Sequence, residues 1–138
     1  MGCDIHYEVE RRLESGQWKA VDRRGRALFR RCYPLFAVLA GVRNLDNMTP
    51  ISEPRGWPED PSEMVRGLRD RWGCDAHSAS WITLSDLQAY DLDTEAPDRN
   101  GDICSAREQV GGYFERAIGV LTDLGGDGAA RIVFWFDN

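Results

Sequence analysis

The sequence predicts an α+β fold, a small mixed or antiparallel sheet packed against three to four helices. Three observations predict it. Residues 3–12 alternate with the period of a strand, Ile5, Tyr7 and Val9 against Asp4, His6, Glu8 and Glu10. Residues 131–137, Arg-Ile-Val-Phe-Trp-Phe-Asp, are apolar on both faces, as a central buried strand is. Between the two, the element order ββα-loop-αβα-α-β segregates strands from helices more than a parallel α/β sheet would.

Each element has its own signal. Glu14-Ser15-Gly16-Gln17 is a turn into a second strand, Trp18 to Asp22, which completes an N-terminal hairpin. Pro34 opens a short apolar helix, Leu35 to Ala40, ended by Gly41. Residues 43–61 form a long irregular loop with four prolines, and loops of that length in compact domains are usually functional. In Asp60-Pro61-Ser62-Glu63 a cap, a proline and a Glu three after the cap start a helix that runs to about Trp72 and stops at Gly73. Cys74 to Ser80 reads as a polar loop, Trp81 to Leu84 as a short apolar strand, and Ser85 with Gln88 as the capping box of a brief helix. Residues 91–102 are acidic and rich in turn formers. Ser105 and Glu108 cap the clearest helix, with Val110, Tyr113, Phe114, Ala117, Val120, Leu121 and Leu124 on one stripe. Gly125-Gly126-Asp127-Gly128 ends it, and the last strand follows.

Composition bounds the function. With 42% hydrophobic and 29% charged residues, the 138-residue chain can bury a core and reads as a single globular domain over residues 1–138. No apolar run approaches the ~18–20 residues of a membrane span. The start, MGCDIHYEVE, has no secretory character, and His6 stands where a myristoylation signal wants Ser or Thr. The net charge of −6 is uneven: residues 11–31 carry eight bases against Glu14 and Asp22, a local +6 that leaves −12 for the rest. Coating of nucleic acid is disfavoured, whereas a local contact surface at 23–31, with Leu28 and Phe29 among its arginines, is not. Cys3, Cys32, Cys74 and Cys104 show no CxxC pairing, so reduced thiols in a cytoplasmic protein are the expectation. Cys3 shares the apolar face of its strand and is expected to be buried and inert.

The two histidines of the chain stand in the same frame, Cys3-Asp4-Ile5-His6 and Cys74-Asp75-Ala76-His77. One metal reading takes zinc on Cys3, His6, Cys74 and His77, although residues three apart on a strand point to opposite faces. The other takes a divalent metal such as zinc on Asp4, His6, Asp75 and His77, which would activate water for hydrolysis, with Glu8 as a further ligand or base. Simple hydrogen bonding that ties a loop to the first strand explains the same residues. Serine chemistry in His77-Ser78-Ala79-Ser80-Trp81 lacks a nucleophile elbow, and bonds from Ser78 and Ser80 to loop backbone are the expectation. Arg43-Asn44 and Arg55-Gly56 offer guanidinium groups to a phosphate or carboxylate, and Trp57, Trp81 and Trp135 offer stacking faces or core. The acidic residues Asp91, Asp93, Asp98 and Asp102 do not follow the EF-hand order and read as solvated loop. If the last strand pairs with the first, Asp137 approaches Asp4 and His6.

MGCDIH, Tyr33-Pro34-Leu35-Phe36-Ala37-Val38-Leu39-Ala40-Gly41-Val42-Arg43-Asn44, Pro54-Arg55-Gly56, His77-Ser78-Ala79-Ser80-Trp81 and the terminal RIVFWFDN together resemble a family of small uncharacterised bacteriophage and prophage proteins. The matching blocks span nearly the whole chain. The resemblance implies a setting, the cytoplasm of an infected bacterium, and no mechanism. It favours the Asp/His metal reading over the zinc one, because Cys74 is not associated with the motif. By analogy with phage proteins that sequester nucleotide signals, the first expectation is an accessory protein that counters host defence by binding a small anionic, phosphorylated or nucleotide-like ligand. Its site would comprise Asp4, His6, Arg43, Asn44, Arg55, Asp75, His77, Ser78, Ser80 and Trp81, with Trp135 as an alternative stacking face. A metal-dependent hydrolase and an inhibitor that binds a host protein through the basic surface are the alternatives, so whether the chain is an enzyme stays open.

Overall fold

The computed structural model describes residues 2–23, 25 and 27–138. The fold is α+β, as the patterning predicts. Strands β1 (Ile5–Arg12), β2 (Trp18–Ala20), β3 (Ala76–Ile82) and β6 (Ala130–Asp137) form an antiparallel sheet in the order β2-β1-β6-β3. β4 (Glu95–Pro97) and β5 (Ile103–Ser105) form a separate hairpin. The helices are α1 (Tyr33–Ala40), α2 (Glu63–Trp72), α3 (Leu84–Ala89) and α4 (Ala106–Asp123). None of these helices is long and apolar enough to cross a membrane.

The apolar final strand lies at the centre of the sheet, with Ile5 opposite Phe136 on one side and Ile82 opposite Ile132 on the other. Paired residues share a face, so the sheet has two distinct sides. Ile5, Tyr7, Val9, Ile82, Ile132, Phe134 and Phe136 form the first. It packs on α1 and α4: Phe36 meets Phe136 edge-on at 5.0 Å, and Phe114, Ala117 and Leu121 are fully enclosed. Pro34 sits at the start of α1, and Gly41 ends it at φ 72°, a left-handed conformation that a Cβ would disfavour.

His6, Glu8, Glu10, Arg131, Val133, Trp135 and Asp137 form the second face, under α2 and the Pro-rich loop. The five tryptophans of the chain all collect here. Trp57 packs on Trp135 at 5.1 Å and Trp72 on His6 at 4.4 Å. Trp18 lies under Arg131 and Trp81, which pairs with Val133, under Arg55. Polar contacts pin α2 down: Glu10 accepts from Arg131 Nε and from the Ser62 amide, both at 2.7 Å, and Arg131 also reaches Asp60.

Four local expectations change. Cys74 to Ser80 is not a loop: a 3-10 turn over Gly73–Asp75 leads straight into β3, with a bulge between His77 and Ser80. β6 needs partners for its backbone groups on both sides, and that need recruits a polar segment no periodicity marks. Ser62, not Asp60, caps α2, because Arg131 draws the Asp60 carboxylate away. Thr83 and Asp86, not Ser85 and Gln88, form the capping box of α3. The acidic segment 91–102 is no plain loop, since β4 within it pairs with β5 just beyond it.

Candidate functional site

The hydrogen bonds around Asp137 follow from the β1–β6 register. His6 opposes Trp135, two residues before β6 ends at Asp137, and its imidazole reaches Asp137 along the second face. His6 Nε2 donates to Asp137 Oδ2 at 2.9 Å, and the Asp4 amide donates to Oδ1 at 2.8 Å. These two donors, His6 first, hold the Asp137 carboxyl below the usual range. The His6 ring lies against Trp72, with Trp135 at 6.1 Å.

His77 ends at the same residue from the other side. It opposes Phe136, which faces the α1 core, so the histidines leave the sheet on opposite faces. His77 Nε2 lies 3.2 Å from the Asp137 carbonyl, which can only accept, so that nitrogen carries the proton. Nδ1 then accepts from the Ser78 hydroxyl at 3.0 Å. Ser78, at φ 53°, is the left-handed residue of the bulge, and this bond holds it there.

The metal readings do not survive this geometry. Asp4 is gripped by Arg31 through two bonds of 2.7 Å, which hold its carboxyl below the usual range. His6 is committed to Asp137, His77 projects from the opposite face, and Asp75 lies exposed in the 3-10 turn. Cys3 is enclosed in the core, where burial pushes its thiol up, whereas Cys74 is exposed. Among the described residues, no group of three or more His, Cys, Asp or Glu side chains could hold a metal ion. All four cysteines are free thiols.

The remaining expected ligand contacts mostly serve the fold. Arg55 binds Asp86 at 2.7 and 2.9 Å, donates to the Trp81 carbonyl and covers the Trp81 ring at 4.7 Å. It is a clasp between the Pro-rich loop and α3, not an open anion clamp. The buried Ser80 hydroxyl accepts from the Arg55 amide, and Gly56 N–H bonds Ala79, so the loop covers the edge of β3. Asn44 closes the 44–48 turn through Met48 N–H and C=O, both at 2.8 Å. Arg43, at φ 53°, lies 5.7 Å from the Tyr33 ring and beside Cys3. The basic stretch is dispersed: Arg31 turns to Asp4 and Arg12 to Trp18, while Arg24 and Arg26 lie outside the described residues.

What remains is a pocket of about 300 Å³ on the second face, lined by His6, Glu8, Leu68, Trp72 and Trp135. Two of its groups lack partners. Trp135 Nε1 is the buried side-chain nitrogen that finds no hydrogen bond among the described residues. Glu8 makes no hydrogen bond or ion pair there, and burial, then the charge of Glu10, raises its carboxyl above the usual range. Larger hollows lie along β2, one of them also bordered by Glu8, and along α4. One of about 780 Å³ beside β2 is walled by Trp18, Asp60 and Met64, but its Asp60 carboxylate is already bound to Arg131.

No family model, curated protein or solved structure matches this chain. The site therefore stands on its own chemistry: an aromatic wall, a half-buried carboxylate and an indole N–H, the elements of recognition. Sequence reasoning reached His6, Glu8 and Trp135 but not Trp72 or Leu68. Their signal is the Val65, Leu68, Trp72 spacing, which places one stripe of α2 over the polar side of β1.

Proposed function

We propose that this chain is a small-ligand-binding protein, an accessory factor of the bacteriophage setting its sequence resembles, and that the ligand lies against His6, Trp72 and Trp135. One observation carries the reading: Trp135, whose buried indole N–H has no acceptor among the described residues, lines the same aromatic pocket as Glu8, whose carboxylate has no donor there. Leaving such a group unpaired costs about 1–3 kcal/mol, which a ligand that pairs it would recover. A flat ring, such as the base of a nucleotide signal, suits the tryptophan faces. The phosphate arm of the expected ligand has less support, because Arg55 is committed to Asp86. Sequestration of a host defence signal in the cytoplasm of the infected cell is the role we assign to such binding.

Thermal-shift titration with nucleosides, nucleotides and other planar heterocycles tests it. Stabilisation should grow with ligand concentration, and Trp72→Ala should abolish it while the fold persists by circular dichroism. Absence of any stabilisation up to millimolar ligand, or an undiminished response in Trp72→Ala, would overturn the reading.

A further inference from the structure

Three tryptophan–carboxylate pairings lie on the second face of the sheet, and the chain fills two of them. At the first, the Arg131 guanidinium sits 4.0 Å from the Trp18 ring centroid and pairs with Glu10 and Asp60. At the second, the Arg55 guanidinium sits 4.7 Å from the Trp81 centroid and pairs with both oxygens of Asp86. The third is the pocket where Glu8 adjoins Trp72 and Trp135. No arginine of the described chain bonds Glu8.

We infer that this third position is a receptor for a planar organic cation of the amidinium or guanidinium class, with Glu8 as its counter-ion and Trp72 and Trp135 as its aromatic wall. The inference rests on the pocket reading above and names the ligand chemistry it takes. A flat nitrogen cation meets each feature of the site. Its paired N–H groups match the two oxygens of a carboxylate. Its face stacks on indole, the strongest of the cation–π partners. A carboxylate half-withdrawn from water beside a second acid, Glu10, lacks the counter-charge that Glu10 itself has in Arg131. At about 300 Å³ the pocket takes a small molecule, the lower end of the range for ligand sites.

Benzamidine and benzamide separate charge from shape, since they are nearly isosteric and only benzamidine is cationic. Calorimetric titration of the full chain at neutral pH should show benzamidine bound about tenfold or more tightly than benzamide, the ratio expected of a hydrogen bond to a charged group. Glu8→Gln should erase that preference and leave benzamide affinity unchanged. Glu8→Asp, which keeps the charge on a shorter arm, should retain part of it. Equal affinity for the two compounds in the natural protein, or a preference that survives in Glu8→Gln, overturns the cation assignment. If both bind equally and Trp72→Ala abolishes both, the cation assignment falls and the pocket reading stands. If neither binds but other planar ligands stabilise the protein, the outcome is the same. If nothing planar binds, both fall.

Discussion

Asp137 accepts from three directions: His6 Nε2 on one carboxylate oxygen, the Asp4 amide on the other and His77 Nε2 on its carbonyl. Removing its charge without changing its shape should therefore be felt. Asp137→Asn replaces the carboxylate that accepts from His6 Nε2 and the Asp4 amide by a neutral amide, and should cost about 1 kcal/mol by urea unfolding at pH 7. Because the folded carboxyl is held below its ordinary value, its contribution is complete above the unfolded pKa of about 3.9 and fades as pH falls through the folded one. The gap between natural protein and Asp137→Asn should thus narrow in acid. Glu8 has the opposite sign. Its carboxyl is raised in the fold, so ionisation destabilises the native state above the folded pKa and costs nothing below the unfolded value of about 4.3. Glu8→Gln should be more stable than the natural protein at pH 7, by a margin that vanishes toward pH 4. A Glu8→Gln protein of lower stability at pH 7 would contradict this account of the pocket.

At the scale of elements, the Glu10–Arg131 pair holds the second layer. It joins β1 to β6, and through the Ser62 amide and Asp60 it anchors the start of α2. Both side chains are buried, and losing Glu10 leaves Arg131 with Asp60 alone and the Ser62 amide without an acceptor, which costs about 1–3 kcal/mol. Glu10→Ala should lower the denaturation midpoint accordingly, and the Trp72 side of the pocket should loosen with it, read as altered tryptophan fluorescence. β1, β6, α1 and α4 were legible because their periods and caps are long enough to show. α2 was legible in extent but not in cap, since Asp60 serves Arg131 instead. Only the Trp81–Ile82 end of β3 was legible, because its polar residues 76–80 become a strand through pairing with β6 rather than through any pattern of their own, while Thr83 and Leu84 start α3 instead. β4 and β5, three residues each, are too short to carry a period.

Across the whole molecule, the charge asymmetry does not become a single surface. The described arginines of the +6 stretch turn to Asp4, Trp18 and solvent, and the site forms elsewhere, on a face defined by tryptophans and acids. The approach of Asp137 to Asp4 and His6 was readable from the supposition that the first and last strands pair. The separation of His77 from His6 was not, because two residues in identical sequence frames acquire opposite faces only once the register on each side of β6 is known. The register has a kinetic meaning as well. β6 separates β1 from β3, and Ile5 waits for Phe136, so β3 and the edge of β1 away from β2 stay unpaired until residues 130–137 are synthesised. Closure of the four-stranded sheet thus waits for residues 130–137, a high-contact-order step that is intrinsically slow. A ribosome stalled before residue 130 would present two open strand edges, substrates for a chaperone or for aggregation rather than a partly working pocket.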